Sequence, residues 1–152
     1  MVRTYGACAF ILALVLSASQ PPASAHAFLN ASVPNTDSTV TAPLTEIKLT
    51  YSEPVEIRFS IFKVYKIAAP AGSDARTLHA AADSLVAANL LKRGDDAARS
   101  DAGVANTSRS STDIVVRLKD LEPGAYVLMW RVLSVDTHTT QGSFIFVYTP
   151  AS

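Results

Sequence analysis

From Glu46 onward the chain alternates hydrophobic and polar positions with a period of two. Ile47, Leu49 and Tyr51 are separated by polar residues, so an extended backbone places all three on one face. Phe59, Ile61, Lys63, Tyr65 and Ile67 continue such an alternation against Phe62 and Val64, which predicts a second strand. Three β-branched and aromatic runs follow, Asp113–Leu118, Ala125–Val135 and Ser143–Tyr148, with the turn signal Glu122-Pro123-Gly124 ahead of the second. An irregular first strand fits Ala27–Val33, and Pro34 and Pro43 exclude a central strand nearby because proline cannot donate to a ladder. Several short strands with turn punctuation predict an all-β sandwich.

Ala68–Thr112 breaks the pattern, being rich in Ala, Ser, Asp and Arg. Within it Thr77–Lys92 (TLHAAADSLVAANLLK) contains good helix formers and lines up Leu78, Ala82, Leu85 and Asn89 at helical spacing. A helix flanked by flexible loops is expected there. A connection of this length without structure is unusual inside one domain, and an ordered helix and a disordered excursion both remain open.

The first residues carry a different kind of signal. Arg3, the apolar run Ala7–Leu16 and the small-residue site Ala23-Ser24-Ala25 make residues 1–25 an export signal, and cleavage after Ala25 would leave His26 first. The apolar run is too short to cross a bilayer, which takes about 20 residues. Cys8 is the one cysteine and lies well ahead of the cleavage point, so it is not placed for lipid attachment there. The remaining residues, 26–152, suit a single domain with a single core. Without Cys8 they offer neither disulfides nor thiolate ligands, and any metal must use nitrogen, oxygen or thioether donors. Loss of Arg3 changes the charge count from 13 basic and 13 acidic to 12 and 13. Near-neutrality with no basic cluster beyond Lys92-Arg93 excludes a nucleic-acid face and gives no polybasic membrane patch.

Chemistry has few places to sit, because the three histidines are His26, His79 and His138. Asp136 and His138 stand two apart after the longest predicted strand, and continued extension would project both to one side. Taken alone, this Asp-x-His pair also fits a solvated turn. A histidine at a free N-terminus is a chelator in its own right, since its amine and Nδ1 close a six-membered ring on a metal. With Asp136 and His138 the set becomes three nitrogens and one oxygen, which suits tetragonal Cu(II) and would also take Zn(II). An accidental histidine after the cleavage site is the competing explanation.

The start His26-Ala27-Phe28-Leu29, then Ser32-Val33-Pro34, the stretch Leu49-Thr50-Tyr51-Ser52-Glu53-Pro54-Val55-Glu56, and Trp130-Arg131-Val132-Leu133-Ser134-Val135-Asp136-Thr137-His138 with Gly142-Ser143-Phe144 together resemble the CopC family. That resemblance implies an immunoglobulin-like Greek-key β-sandwich and a periplasmic or extracellular copper carrier. One Cu(II) per chain would be held by His26, Asp136 and His138, with Glu53 as an outer partner or a plain edge carboxylate. It further implies a CopD-type membrane transporter as partner. Two features depart from the family pattern: residues 68–112 are longer than usual and carry His79 at no family position, and the Met-rich Cu(I) loop of some members has no counterpart. Met129 beside Trp130 reads as core. Competing functions are a copper oxygenase with an N-terminal histidine brace, in which the fourth position stays open for oxygen, and a metal-free binding sandwich. No G-x-S-x-G nucleophile context supports a hydrolase.

Overall fold

The computed structural model describes residues 26–70 and 72–151, so the export signal expected at residues 1–25 lies outside the described residues. Eight strands and one α-helix make up the described chain: β1 (Leu29–Val33), β2 (Ser38–Val40), β3 (Glu46–Glu56), β4 (Ile61–Lys66), α1 (Ala75–Asn89), β5 (Asp101–Val104), β6 (Ser110–Leu118), β7 (Gly124–Leu133) and β8 (Thr139–Tyr148). They form two four-stranded sheets, ordered β1-β3-β6-β5 and β2-β8-β7-β4. All pairings are antiparallel except β2 with β8. This is an open, immunoglobulin-like sandwich. The sequence expectation holds for the strands with strong alternation, and both proline-flanked segments, β1 and β2, lie at sheet edges.

Some boundaries differ from the expectation, and two short strands are added to it. Phe59 belongs to a single 3-10 turn, Ile57–Phe59, and β4 begins only at Ile61. β8 starts at Thr139 rather than Ser143, because Thr139–Gly142 pair with Trp130–Leu133 despite their polar character. β2 and β5 were not foreseen: the first is three residues long, the second four, and neither is long enough to show a period.

The core lies between the sheets. Ile47, Leu49 and Tyr51 from β3 meet Tyr126, Leu128, Trp130 and Val132 from β7 and Phe144, Phe146 and Tyr148 from β8. Trp130 lies flat across β8 at Gly142, its cross-strand partner, where a Cβ would come within 2.5 Å of the Trp130 ring. No other residue fits there without moving the tryptophan.

The second sheet is covered on its other face too. Within residues 68–112, α1 packs on this face as an ordered cover, and β5 and the start of β6 join the first sheet. Asp74 caps α1, its side chain accepting from the Thr77 amide at 2.8 Å. The helix runs Ala75–Asn89, two residues earlier at the start and three shorter at the end than the sequence suggested. Ala82, with Leu78, Leu85 and Val86, packs on Tyr65, Ile67, Val127, Met129 and Ile145. That cover explains the nearly continuous apolar run of β7: even-numbered positions such as Tyr126 and Leu128 face the sandwich core, and odd-numbered ones such as Val127 and Met129 face the helix. Each such side chain is worth about 1.5–3 kcal/mol when fully buried. Met129 is completely buried in this layer.

The layer is pinned by a closed polar network. Lys63 interrupts the apolar face of β4 yet is buried, and its ammonium donates to the carbonyls of Asn89 (2.9 Å) and Lys92 (2.6 Å) and to Asp95 Oδ2 (2.6 Å). The Tyr65 hydroxyl donates to the same carboxylate oxygen. Burial would raise the Asp95 pKa, but the hydrogen bonds from Lys63 and Tyr65 outweigh it and hold the carboxyl at about 2. Beside it Asp101 accepts from the Val64 amide at 2.8 Å and pairs with Arg99, and the Ser100 amide donates to the Val64 carbonyl at 2.8 Å, so the free edge of β4 is capped without another strand.

Candidate metal centre

One end of the sandwich gathers the residues that the sequence singled out. The β7–β8 hairpin turns through Ser134–Thr137, where the Thr137 amide donates to the Ser134 carbonyl at 3.0 Å and the Ser134 amide to the His138 carbonyl at 2.8 Å. Thr137 has φ 75°, the left-handed conformation that ends a three-residue hairpin loop. Asp136 and His138 are therefore not successive same-side positions of an extended strand, as expected. The turn itself swings them together, bringing His138 Nδ1 to 3.1 Å from Asp136 Oδ2.

The two oxygens of Asp136 have different surroundings. Oδ1 accepts from the Ser134 hydroxyl and from the His138 amide at 3.2 Å. Oδ2 is buried and lies beside His138 Nδ1 at 3.1 Å. Two donors each about 2.0 Å from an ion and at right angles lie about 2.8 Å apart, close to the separation of His138 Nδ1 and Asp136 Oδ2. The hairpin thus holds one imidazole nitrogen and one carboxylate oxygen side by side, at a spacing near that of two neighbouring ligands on one ion.

His26 arrives from the far end of the sequence. Its ring centroid is 4.9 Å from that of His138, with the planes inclined by 46°. The segment is anchored just after it: Ala27 is buried in the sandwich core, its carbonyl accepts from the Thr140 hydroxyl at 2.8 Å, and the Phe28 amide donates to Ser52 Oγ at 2.9 Å. The hairpin is tied to the first sheet as well, through the Val135 amide and the Pro54 carbonyl at 3.1 Å. Among the described residues no three His, Cys, Asp or Glu side chains close into a cage. The convergence is of two imidazoles and one carboxylate.

Glu53 is half-buried in β3 between Tyr51 and Val55, and among the described residues no hydrogen bond or ion pair joins its carboxylate to His26, Asp136 or His138. His79 lies apart, exposed on α1 with Nε2 3.2 Å from Asp37 Oδ1. Sequence reasoning missed Ser134, Ser52 and Thr140. Ser134 could have been suspected from its spacing of two before Asp136, a common pattern of local side-chain bonding, whereas Ser52 and Thr140 act only through contacts distant in sequence. No helix among the described residues is long and apolar enough to cross a membrane.

The comparisons with known proteins agree with this fold. In sequence the chain is 32% identical over 134 residues to protein YobA of Escherichia coli K12, covering 88% of this chain and 86% of that one. Among solved structures it is similar to CopC from Methylosinus trichosporium OB3b, with a TM-score of 0.58 at 20% identity over 84% of this chain and 97% of that one, a likeness of fold. It is also similar to PcoC, a methionine-rich copper resistance protein from Escherichia coli, with a TM-score of 0.56 at 27% identity over 82% of this chain and all of that one. The profile described as the CopC domain matches residues 29–149, from β1 to the end of β8, and the chain belongs to the CopC family.

Proposed function

We propose that this protein is an exported copper carrier that binds one Cu(II) through the amine and imidazole of His26, the Asp136 carboxylate and the His138 imidazole. The observation that carries this reading is the meeting of His26 with the Asp136–His138 pair across an otherwise empty length of sequence, in a CopC-family sandwich. Membership of the family and likeness to PcoC, a copper resistance protein, support copper as the cargo. Three nitrogens and one oxygen favour tetragonal Cu(II), which also stands above Zn(II) in the affinity order. The thioether sulfurs that bind Cu(I) have no representative near the site: of two methionines, Met1 leaves with the signal and Met129 is buried beneath α1. PcoC is called methionine rich, and this chain follows a different supply of donors.

The carrier holds and hands over rather than turning over. Asp136 occupies the fourth equatorial position that an oxygenase with a histidine brace keeps open for oxygen, so the donor set favours storage. Its place is the periplasm or the cell exterior, and its acceptor a CopD-type membrane transporter. Residues 1–25 supply the export signal, and their removal converts the peptide nitrogen of His26, which is no donor while it keeps its proton, into an amine.

Mass spectrometry of the exported protein should find His26 as the first residue. Calorimetric titration then tests the site: the protein beginning at His26 should bind one Cu(II) at least about 100-fold more tightly than the same chain with one added residue in front. Equal affinities would sink the N-terminal mechanism.

A further inference from the structure

A chelating N-terminus is useful only if it stays where the other ligands are, and chain ends ordinarily fray. In this fold the two residues after His26 are held from both sheets. Thr140, the position of β8 nearest the hairpin on the inward-facing side, reaches across the open end of the sandwich, and its hydroxyl donates to the Ala27 carbonyl at 2.8 Å. From β3 of the other sheet, Ser52 Oγ accepts from the Phe28 amide at 2.9 Å and turns its own proton toward the His26 carbonyl at 3.4 Å, while the Ser52 amide donates to the Phe28 carbonyl at 2.8 Å. The methyl of Ala27 is sunk in the core between them.

We infer that Thr140 and Ser52 are positioning residues that latch the processed N-terminus onto the hairpin carrying Asp136 and His138. This inference rests on the reading of His26 as a ligand given above. Thr140 lies two residues beyond His138, at the start of β8, so the hairpin that supplies two ligands also grips the segment bearing the third. The grip is specific to main-chain groups of Ala27 and Phe28 and does not depend on which side chain stands at position 26. A loose terminus would have to be ordered when the metal binds, and the cost would appear as lost affinity. Groups that orient ligands without touching the ion typically change metal affinity 10–100-fold.

The experiment compares Thr140→Val, which keeps the shape and removes the hydroxyl, with Thr140→Ser, which restores it, and with Ser52→Ala. Each is made in the protein beginning at His26 and in the chain extended by one residue, and each is titrated with Cu(II) alone. Thermal unfolding and the electron paramagnetic resonance spectrum of the copper form are recorded alongside. In the protein beginning at His26, Thr140→Val and Ser52→Ala should each lower Cu(II) affinity about 10–100-fold and broaden or split the copper spectrum. Thr140→Ser should restore most of both. In the extended chain, which keeps the His26 imidazole but has no amine to position, the same substitutions should lower affinity by a distinctly smaller factor. An equal loss in both chains, or no loss in the protein beginning at His26, overturns the latch while leaving the metal site intact. If the unaltered protein gains nothing from a free His26, the site reading fails and the latch falls with it.

Discussion

The two polar clusters of this sandwich are built on opposite terms. Under the outer layer, Lys63, Asp95 and Tyr65 are buried and satisfy one another, with the carbonyls of Asn89 and Lys92 taking the remaining protons of the ammonium. At the hairpin end, Asp136 has one oxygen hydrogen-bonded within the turn and the other beside the exposed imidazole of His138, and His26 is exposed as well. A closed network has no capacity left for a ligand, and its charges serve to fix one arrangement of the chain. An open one leaves its donors within reach of an ion. The difference separates a closed, buried cluster from a solvent-facing one in a molecule where both sit beside strands of the same sheet.

The contrast predicts that damage to the closed cluster unfolds the protein without touching the metal. Asp95→Ala strands the buried Lys63 ammonium and should cost about 3–5 kcal/mol of stability, the usual range for breaking one half of a buried pair. Chemical denaturation should show this as a lower midpoint, and at temperatures where the variant stays folded its Cu(II) affinity should equal that of the parent. The reverse applies at the open cluster. His138→Ala removes a ligand and should weaken Cu(II) binding by about 100-fold or more, equivalent to about 2.7 kcal/mol, with little change in thermal stability. His79→Ala, on α1 and away from the hairpin, should leave the affinity within about twofold. If His79→Ala abolished binding and His138→Ala did not, the assignment would be wrong.

Acid gives a subtler separation. Asp95 ionises at about 2 in the folded protein against an ordinary value of 3.8, so between those limits the unfolded chain binds the extra proton. The stabilisation from this group is fully present above about pH 4 and is lost as the pH falls toward 2. Denaturation midpoints across that range should decline, and the decline should be shallower in Asp95→Asn. The smallest effect concerns Tyr51, whose hydroxyl is buried among aromatic rings without a partner and whose ionisation burial pushes upward. Tyr51→Phe removes an unsatisfied group at nearly constant volume and should change stability by less than about 0.5 kcal/mol, in the stabilising direction if at all. A loss of several kcal/mol would show that the hydroxyl has a partner after all.

The period of two and the β-branched runs determined the long strands, because in β3, β6, β7 and β8 a buried face selects alternate residues and the selection is written directly into composition. The helix was equally visible in its spacing of Leu78, Ala82 and Leu85. The candidate ligands His26, Asp136 and His138 could be named from the chain as well, since few residues offer such donors and their motifs are local. Only the tertiary structure decided how they meet. It replaced the expected extended Asp-x-His by a turn through Thr137, where a left-handed backbone rather than strand alternation brings the two side chains together. It also decided that α1 covers the second sheet, which required knowing that the odd-numbered face of β7 needs a partner, and it supplied Asp95 for Lys63 and Thr140 for Ala27. These pairings join residues 32 and 113 positions apart. Hydrogen bonds of that span leave no periodic trace in a sequence, because each depends on where two separate elements come to rest.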